Sequence, residues 1–145
     1  MRLMYRMLLL CLALFCAPWV MAAEANWQIY QRSPRLELAI DRNSIAIKKG
    51  MLHFRHQERF REKQYEKPLN VHFFIRRMQV VVNCDQEAYA FISSDYFDQQ
   101  GKNVWSTLSP LAEAQWQPQA AEEGSIAFAM VNAACTMIRH PAYTD

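Results

Sequence analysis

The cysteines are the residues of this chain whose chemistry is simplest to predict. Four are present, and two of them, Cys11 and Cys16, lie in the apolar N-terminal stretch. If that stretch is removed on export, Cys84 and Cys135 remain, and two cysteines in an exported domain predict one disulfide. Two free buried thiols are the alternative. A redox role is disfavoured because the chain has no Cys-x-x-Cys pair.

The N-terminus has the three parts of a secretory signal peptide. Arg2 and Arg6 form a basic region, residues 7–15 form an apolar run, and small residues follow. The apolar run is shorter than the roughly 20 residues that a membrane-spanning helix needs. We therefore expect a cleaved signal peptide, with an uncleaved N-terminal anchor as the alternative.

The cleavage site sets the boundaries of the mature protein. Cleavage is expected after Ala22 or Ala23, with Ala25 as a third candidate. We predict a signal peptide over residues 1–23 and a single domain over residues 24–145, a length typical of one domain. No cysteine follows a small residue in the way that lipid attachment requires, so we expect a mature chain without a lipid anchor.

Catalytic and metal-binding residues do not combine into a recognisable site. His53 and His56 are three apart in a predicted strand, so their side chains point to opposite faces and are poorly placed to share a metal. The chain has no Gly-x-Ser-x-Gly elbow, and its three glycines form no phosphate-binding loop. We expect a non-enzymatic protein without cofactor or metal. A site assembled from these and the distant His72 and His140 is the alternative.

The mature chain is close to neutral, but its charges are unevenly spread. Removing Arg2 and Arg6 leaves 14 basic and 14 acidic side chains. Residues 42–77 hold ten lysines or arginines and three acids, whereas residues 78–145 hold two basic and eight acidic residues. The two regions could pair across a sheet, or the basic region could form a positive face. Export and low net charge argue against a nucleic-acid partner.

We expect a binding face in this basic region. Its candidate residues are Lys48, Lys49, Arg55, Arg59, Arg61, Lys63 and Lys67. Recognition through these side chains would weaken as salt rises, because exposed charges are screened.

Alternating apolar and polar residues predict antiparallel strands along most of the mature chain. The predicted strands are residues 27–31, 36–40, 45–47, 51–61, 71–83, 88–97 and 103–108. Turn residues separate them at 41–44, 48–50 and 84–87. Residues 61–70 are charged, contain Pro68, and are expected to form an exposed loop.

The C-terminal part of the chain has a helical period instead. Apolar residues three and four apart predict a helix over residues 122–138. Glu122 and Glu123 suit its positive N-terminal end, and Ser125 is an N-cap candidate if the helix begins later. Cys135 lies beside the apolar stripe, so its bond to Cys84 would join the helix to a strand turn. The predicted fold is α+β, an antiparallel sheet of about six strands packed against one C-terminal helix.

Five short motifs follow one another along residues 26–136. They are NW at 26–27, AIDRNSI at 39–45, NCD at 83–85 before a strand with Tyr96, WQP at 116–118, and NAAC at 132–135. Their order and spacing resemble the surface-adhesin protein E family of exported Gram-negative proteins. The resemblance implies an antiparallel sheet packed against a C-terminal helix, with this one disulfide.

The resemblance also implies adhesion as the function. Members of the family resemble surface lipoproteins that bind host matrix proteins and plasminogen, so we expect an exported binding protein with a protein partner. The alternative is a periplasmic accessory protein, such as an inhibitor or an envelope assembly factor. The several strands further suggest a homodimer through an exposed edge strand.

Overall fold

The computed structural model describes residues 23–139, which form one antiparallel sheet with an α-helix packed against one face. The elements are β1 (Trp27–Arg32), β2 (Leu36–Lys48), β3 (Met51–Glu66), a 3₁₀ helix (Lys67–Leu69), β4 (Val71–Asn83), β5 (Ala88–Phe97), β6 (Asn103–Ser106), a 3₁₀ helix (Glu113–Gln115), β7 (Gln119–Ala120) and α1 (Ile126–Arg139). The predicted fold class is confirmed. The predicted signal peptide lies outside the described residues except for Ala23.

The strand order follows the chain because successive strands are joined as hairpins. Strands β1 to β6 lie side by side in sequence order, and β7 pairs with the start of β5, on the same edge of β5 whose end pairs with β6. The turn between β2 and β3 consists of Lys49 and Gly50, both with positive φ. Two such residues form the tight turn whose twist matches that of the flanking strands.

Strand β2 corrects the predicted turn at residues 41–44. The strand runs without interruption, and its register against β3 shifts between Asp41 and Ala46. The Ser44 hydroxyl donates to the Asp41 carbonyl at 2.7 Å and accepts from the Arg55 N–H at 2.7 Å. The turn-forming side chains therefore satisfy the backbone of a β-bulge, and the strand continues beyond it.

Strand β3 corrects the loop predicted for residues 61–70. The strand extends to Glu66, and the chain then turns through the 3₁₀ helix. Residues 64–66 pair with the start of β4, where the Tyr65 ring stacks on the His72 ring at 4.7 Å between centroids. The charged sequence suggested a loop, but charged side chains also suit a strand with solvent at its surface.

The helix α1 begins later than predicted and forms one wall of the core. Ser125 caps it, because its hydroxyl accepts the N–H of Phe128 at 3.1 Å. Glu122 and Glu123 therefore lie before the helix and not in its first turn. Its buried residues Met130, Val131, Ala134 and Cys135 pack against Ile40, Leu52, Phe54, Met78, Val80 and Val82.

No helix among residues 23–139 is long and apolar enough to cross a membrane.

The predicted disulfide is present between Cys84 and Cys135. Cys84 directly follows β4, and Cys135 lies in the second half of α1. The bond therefore ties the helix to the end of a central strand.

Residues 107–118, called here the crossing segment, cover part of the sheet face opposite α1. The segment first follows β5, where the N–H of Thr107 bonds to the Ser94 carbonyl at 2.9 Å. It then reaches β3, where the Trp116 ring meets the His53 ring edge-on at 5.6 Å between centroids. We call the rest of this face, which carries Arg55, Gln57 and Arg59 of β3 and Arg77 of β4, the open face.

Candidate binding surface

A row of alternating arginine and aromatic side chains crosses the open face. The guanidinium of Arg77 lies 5.3 Å from the ring centroid of Trp27 and 4.6 Å from that of Phe97. The guanidinium of Arg55 lies 5.9 Å from the same Trp27 ring. Cation–π attraction therefore links four side chains, which we call the arginine–aromatic row.

Four strands position this row. Trp27 begins β1, Arg55 lies in β3, Arg77 in β4 and Phe97 at the end of β5. Antiparallel pairing places Trp27 opposite Asp41 and Asp41 opposite Arg55. Side chains of directly paired residues share a face of the sheet, so residues far apart in sequence meet here.

A buried carboxylate supports one end of the row. Asp41 is fully buried, and its carboxylate forms an ion pair with the Arg55 guanidinium. The same carboxylate accepts the backbone N–H of Asn26 at 2.8 Å and that of Asn43 at 3.1 Å. A buried charge is tolerated only with such partners, and these contacts hold Arg55 in place.

Arginines and carboxylates share the open face around the row, because the register sets Arg55 opposite Asp41, Arg59 opposite Glu37 and Arg77 opposite Asp95. Partial burial lowers the pKa of Arg77, and the nearby Arg59 and Arg55 lower it further, while Asp95 acts in the opposite sense. Arg59 is half-exposed and lies 4.0 Å from the Glu37 carboxylate. Three guanidinium groups therefore share one surface with exposed N–H donors.

The seven basic residues predicted as a binding face fall into three groups. Lys48 and Lys49 lie at the turn between β2 and β3, and Lys49 forms an ion pair with Glu113 of the crossing segment at 2.9 Å. Arg55 and Arg59 lie together on the open face. The third group is at the far end of β3 and consists of Arg61, Lys63 and Lys67.

The first and third groups are too far apart to act as one patch. Strand β3 has 16 residues, and a strand of that length spans about 50 Å. An ordinary protein interface covers about 800 Å² on each partner. A compact patch of that area is narrower than the length of the strand. The structure therefore brings together Arg55 and Arg59, and separates Lys48 and Lys49 from Lys63 and Lys67.

Three residues of the row were missed by the sequence prediction. Trp27, Arg77 and Phe97 were recognised as parts of strands or of a motif, but not as one surface. Their proximity depends on the register of five strands, β1 to β5, including a register shift between β4 and β5. The available signal was the alternation of polar residues in the central strands, Arg55, Gln57 and Arg59 in β3 and Arg77 and Gln79 in β4.

Polar groups are also buried on the helix side of the sheet. The Nε2 atom of the fully buried His56 lies 2.8 Å from the Tyr30 hydroxyl. Burial lowers the pKa of His56 to about 3, and the charge of Arg76 acts in the same direction. Burial raises the pKa of Tyr30. The pair is thus a neutral imidazole bonded to a neutral phenol.

An ion pair lies next to this hydrogen bond. The Glu58 carboxylate is buried and accepts from Arg76 at 2.6 and 3.0 Å. Burial alone would lower the pKa of Arg76, but Glu58 raises it above the usual value. In residues 23–139 no three His, Cys, Asp or Glu side chains are grouped as a metal site would require.

A groove runs between β1 and α1 on the same side of the sheet. It has a volume of about 510 Å³, within the range of small-molecule sites. The strands contribute Gln28, Tyr30, Gln31 and Arg42, and the helix contributes Ala129, Asn132, Ala133, Thr136 and Met137.

Comparison with known proteins places the chain in a family. Residues 27–136 match the family model described as surface-adhesin protein E. No curated protein sequence matches this chain significantly.

Two solved structures have a similar fold. The structure of Haemophilus influenzae protein E aligns with a TM-score of 0.52 at 13% identity, over 85% of this chain and 92% of that one. The structure of protein E from non-typeable Haemophilus influenzae aligns with a TM-score of 0.52 at 15% identity, over 89% of this chain and 87% of that one. At these identities the likeness shows the fold, whereas the family model matches the sequence itself over most of its length, so this chain belongs to the surface-adhesin protein E family.

Proposed function

We propose that this protein is exported and acts without catalysis, by binding a protein partner through the open face. The arginine–aromatic row is the observation that carries this proposal. Tryptophan and arginine are enriched among the residues that contribute most to protein–protein affinity. Here they form one surface that is positioned by strands and supported from beneath by a buried carboxylate.

The row suits binding because its side chains are already ordered. Arg77 is held between Trp27 and Phe97, and its Nε donates to the Gln57 side chain at 2.8 Å. Ordering a flexible side chain on binding costs free energy, and preorganisation reduces that cost. The exposed N–H groups of the guanidiniums favour a partner surface that presents carboxylates.

The family supports the proposed class of partner. Its name describes a surface adhesin, and the partners we propose are host extracellular-matrix or serum proteins, plasminogen among them. The complementary partner surface should be acidic, with room for the Trp27 ring among its apolar groups.

Binding to immobilised matrix and serum proteins tests the face directly. We expect Arg77→Ala to weaken binding by about 30-fold, and Arg59→Glu to slow association and reduce its dependence on salt. The matched control is Lys67→Glu, which reverses a charge at the far end of β3 and should leave binding unchanged. Equal losses in Arg59→Glu and Lys67→Glu would instead indicate non-specific charge attraction and contradict the proposed face.

The location of the protein distinguishes adhesion from the periplasmic alternative. We propose display at the cell surface, supported by the family's description as surface adhesins. Protease treatment of intact producing cells should remove the protein while a periplasmic control survives. Protection until the outer membrane is opened would favour an inhibitor or envelope assembly factor, whose partner would be sought in the envelope.

A homodimer through an edge strand stays a prediction. Strands β1 and β6 lie at the two ends of the strand order β1 to β6. An unpaired edge strand can pair with a strand from a second copy. Sedimentation velocity measures the mass in solution, and a monomeric mass at high protein concentration would contradict the dimer.

A further inference from the structure

We propose that the groove between β1 and α1 binds an amphiphile with one aliphatic chain and one carboxylate, such as a medium-chain alkanoate. The site is separate from the open face, because the groove lies on the helix side of the sheet. Its walls, its charged end and its unpaired amide each contribute to this inference.

The helix wall leaves room because its side chains are small. Ala129 and Ala133 are four residues apart and so lie on one flank of α1. Met137 continues the same flank by one further turn, and a methionine side chain adapts to irregular apolar surfaces. An aliphatic chain lying along this flank would gain apolar contact over about two helical turns.

The strand wall is shaped by a β-bulge. The register of β1 against β2 shifts between Ile29 and Gln31, leaving Tyr30 as the extra residue. Without the bulge, neighbouring side chains would point to opposite faces, but here both Tyr30 and Gln31 line the groove. Tyr30 is held by His56 behind it, at 2.8 Å. Bulges commonly redirect side chains at functional sites.

Arg42 selects the charge of the ligand. Its side chain lines the groove, no carboxylate of residues 23–139 lines the groove with it, and it takes part in no ion pair of that part of the chain. A guanidinium beside an apolar groove is complementary to an anionic head group on an apolar body, and it binds carboxylates with two parallel hydrogen bonds.

Gln28 supplies a second polar contact. Its Oε1 atom is buried and has no hydrogen-bond partner in the described part of the chain. A buried amide without a partner is costly. Rotation of the amide about its last bond presents either an acceptor or N–H donors to the head group. Gln28 and Arg42 are both placed near the start of β1, since the N–H of Arg42 bonds to the carbonyl of Asn26.

Calorimetric titration of the intact mature protein with hexanoate, octanoate and decanoate tests the apolar part. We expect saturable binding that tightens by about fourfold for each added methylene, until the chain fills the groove. Ala133→Phe should abolish binding. Ala127→Phe is its matched control, because Ala127 is also a half-buried helical alanine but does not line the groove, and it should bind normally.

The head group is tested by comparing octanoate with octanol. The native protein should prefer octanoate, and Arg42→Gln should weaken octanoate binding by about tenfold while leaving octanol binding unchanged. Arg42 is partly exposed, so this variant is expected to fold, and thermal unfolding checks that it does. Arg59→Glu on the open face should leave both ligands unaffected, which separates this site from the proposed protein-binding face.

Three results would overturn the proposal. They are the absence of saturable binding for every chain length, equal binding by Ala133→Phe and the native protein, and equal affinity for octanoate and octanol. A change from dimer to monomer in Ala133→Phe, without alkanoate binding by the native protein, would assign the groove to a second copy of the chain instead.

Discussion

Individual side chains show how this small sheet accommodates buried polar groups. Asp41, His56 and Glu58 are almost fully buried. Each has a partner within hydrogen-bonding distance on another strand, namely Arg55, Tyr30 and Arg76 respectively. Such groups contribute specificity, because an altered register would leave them buried and unpaired.

Removal of the Asp41 carboxylate should destabilise the protein. We expect Asp41→Ala to lower the free energy of unfolding by about 3 kcal/mol, because Arg55 and the N–H groups of Asn26 and Asn43 would lose their acceptor. Urea unfolding measures the effect. Asp41→Asn keeps an acceptor oxygen and should lower the free energy of unfolding by less. Glu37 is a partly exposed carboxylate, so Glu37→Ala should change the free energy of unfolding far less. A loss below about 0.5 kcal/mol in Asp41→Ala would show that the buried pair contributes nothing net.

His56 should make stability depend on pH. Its pKa falls from 6.5 to about 3 on folding, so the folded state excludes a proton that the unfolded state binds. The contribution of His56 to the free energy of unfolding is then fully present above pH 6.5. It is lost as pH falls toward 3, by up to about 1.4 kcal/mol per pH unit. Urea unfolding at pH 7 and pH 5 measures this slope.

The variant His56→Gln isolates this contribution to the pH dependence. Glutamine can still bond to the Tyr30 hydroxyl but does not ionise. Its free energy of unfolding should be lower at pH 7 and should change less between pH 7 and pH 5 than that of the native protein. An unchanged slope would mean that other groups cause the acid sensitivity.

At the scale of elements, bulges determine which side chains share a face. The register shift in β1 turns both Tyr30 and Gln31 toward the groove. The register shift in β2 lets the Ser44 hydroxyl accept the backbone N–H of Arg55. Periodicity predicted most of the strands correctly, but the turn-forming residue types at 41–44 predicted a turn where β2 has its bulge. The same polar residues can end a strand or satisfy a bulge, and only pairing with the next strand distinguishes the two outcomes.

The beginning of α1 depends on Ser125. Its hydroxyl accepts the N–H of Phe128 at 3.1 Å, so we expect Ser125→Ala to lower the free energy of unfolding by about 1 kcal/mol. Ser125→Asn keeps the cap and should be close to the native protein, which makes it the control. Thermal and urea unfolding measure both. Equal losses in the two variants would show that the hydroxyl bond does not stabilise the helix.

At the scale of the whole molecule, one bond and one hydrophobic interface connect the helix to the sheet. Cys84 and Cys135 are separated by 51 residues, and the loop that they close includes β5, β6 and the crossing segment. The molecule also presents two different surfaces. They are the groove beside the helix and the open face on the opposite side of the sheet.

Loss of the disulfide should remove a large part of the stability. The unfolded chain gains conformational freedom when this loop is opened, so we expect the double variant Cys84→Ser/Cys135→Ser to lose about 4 kcal/mol. Urea unfolding of native and variant proteins measures the loss. Intact mass should show two hydrogens fewer in the native protein than in its reduced form, and thiols titratable in the native protein would contradict the bond.

The family name and the site followed from the sequence to different degrees. Motif order along residues 26–136 led to the same family as the family-model match over residues 27–136. Of the predicted basic face, Arg55 and Arg59 meet on the open face, whereas the lysines at the two ends of β3 lie apart. The positions of charged residues in the sequence do not tell how far apart they lie in space. The two ends of β3, a strand of 16 residues, are widely separated.

The sequence by itself determined the type of most elements, the presence of a helix near the C-terminus and the pairing of Cys84 with Cys135, because these depend on local periodicity and cysteine count. Only the tertiary structure decided that Trp27 lies between Arg55 and Arg77, and that small helical residues leave a groove beside β1. The physical reason is register: each bulge shifts the alternation of faces, so the neighbours of a side chain across the sheet depend on every strand between them.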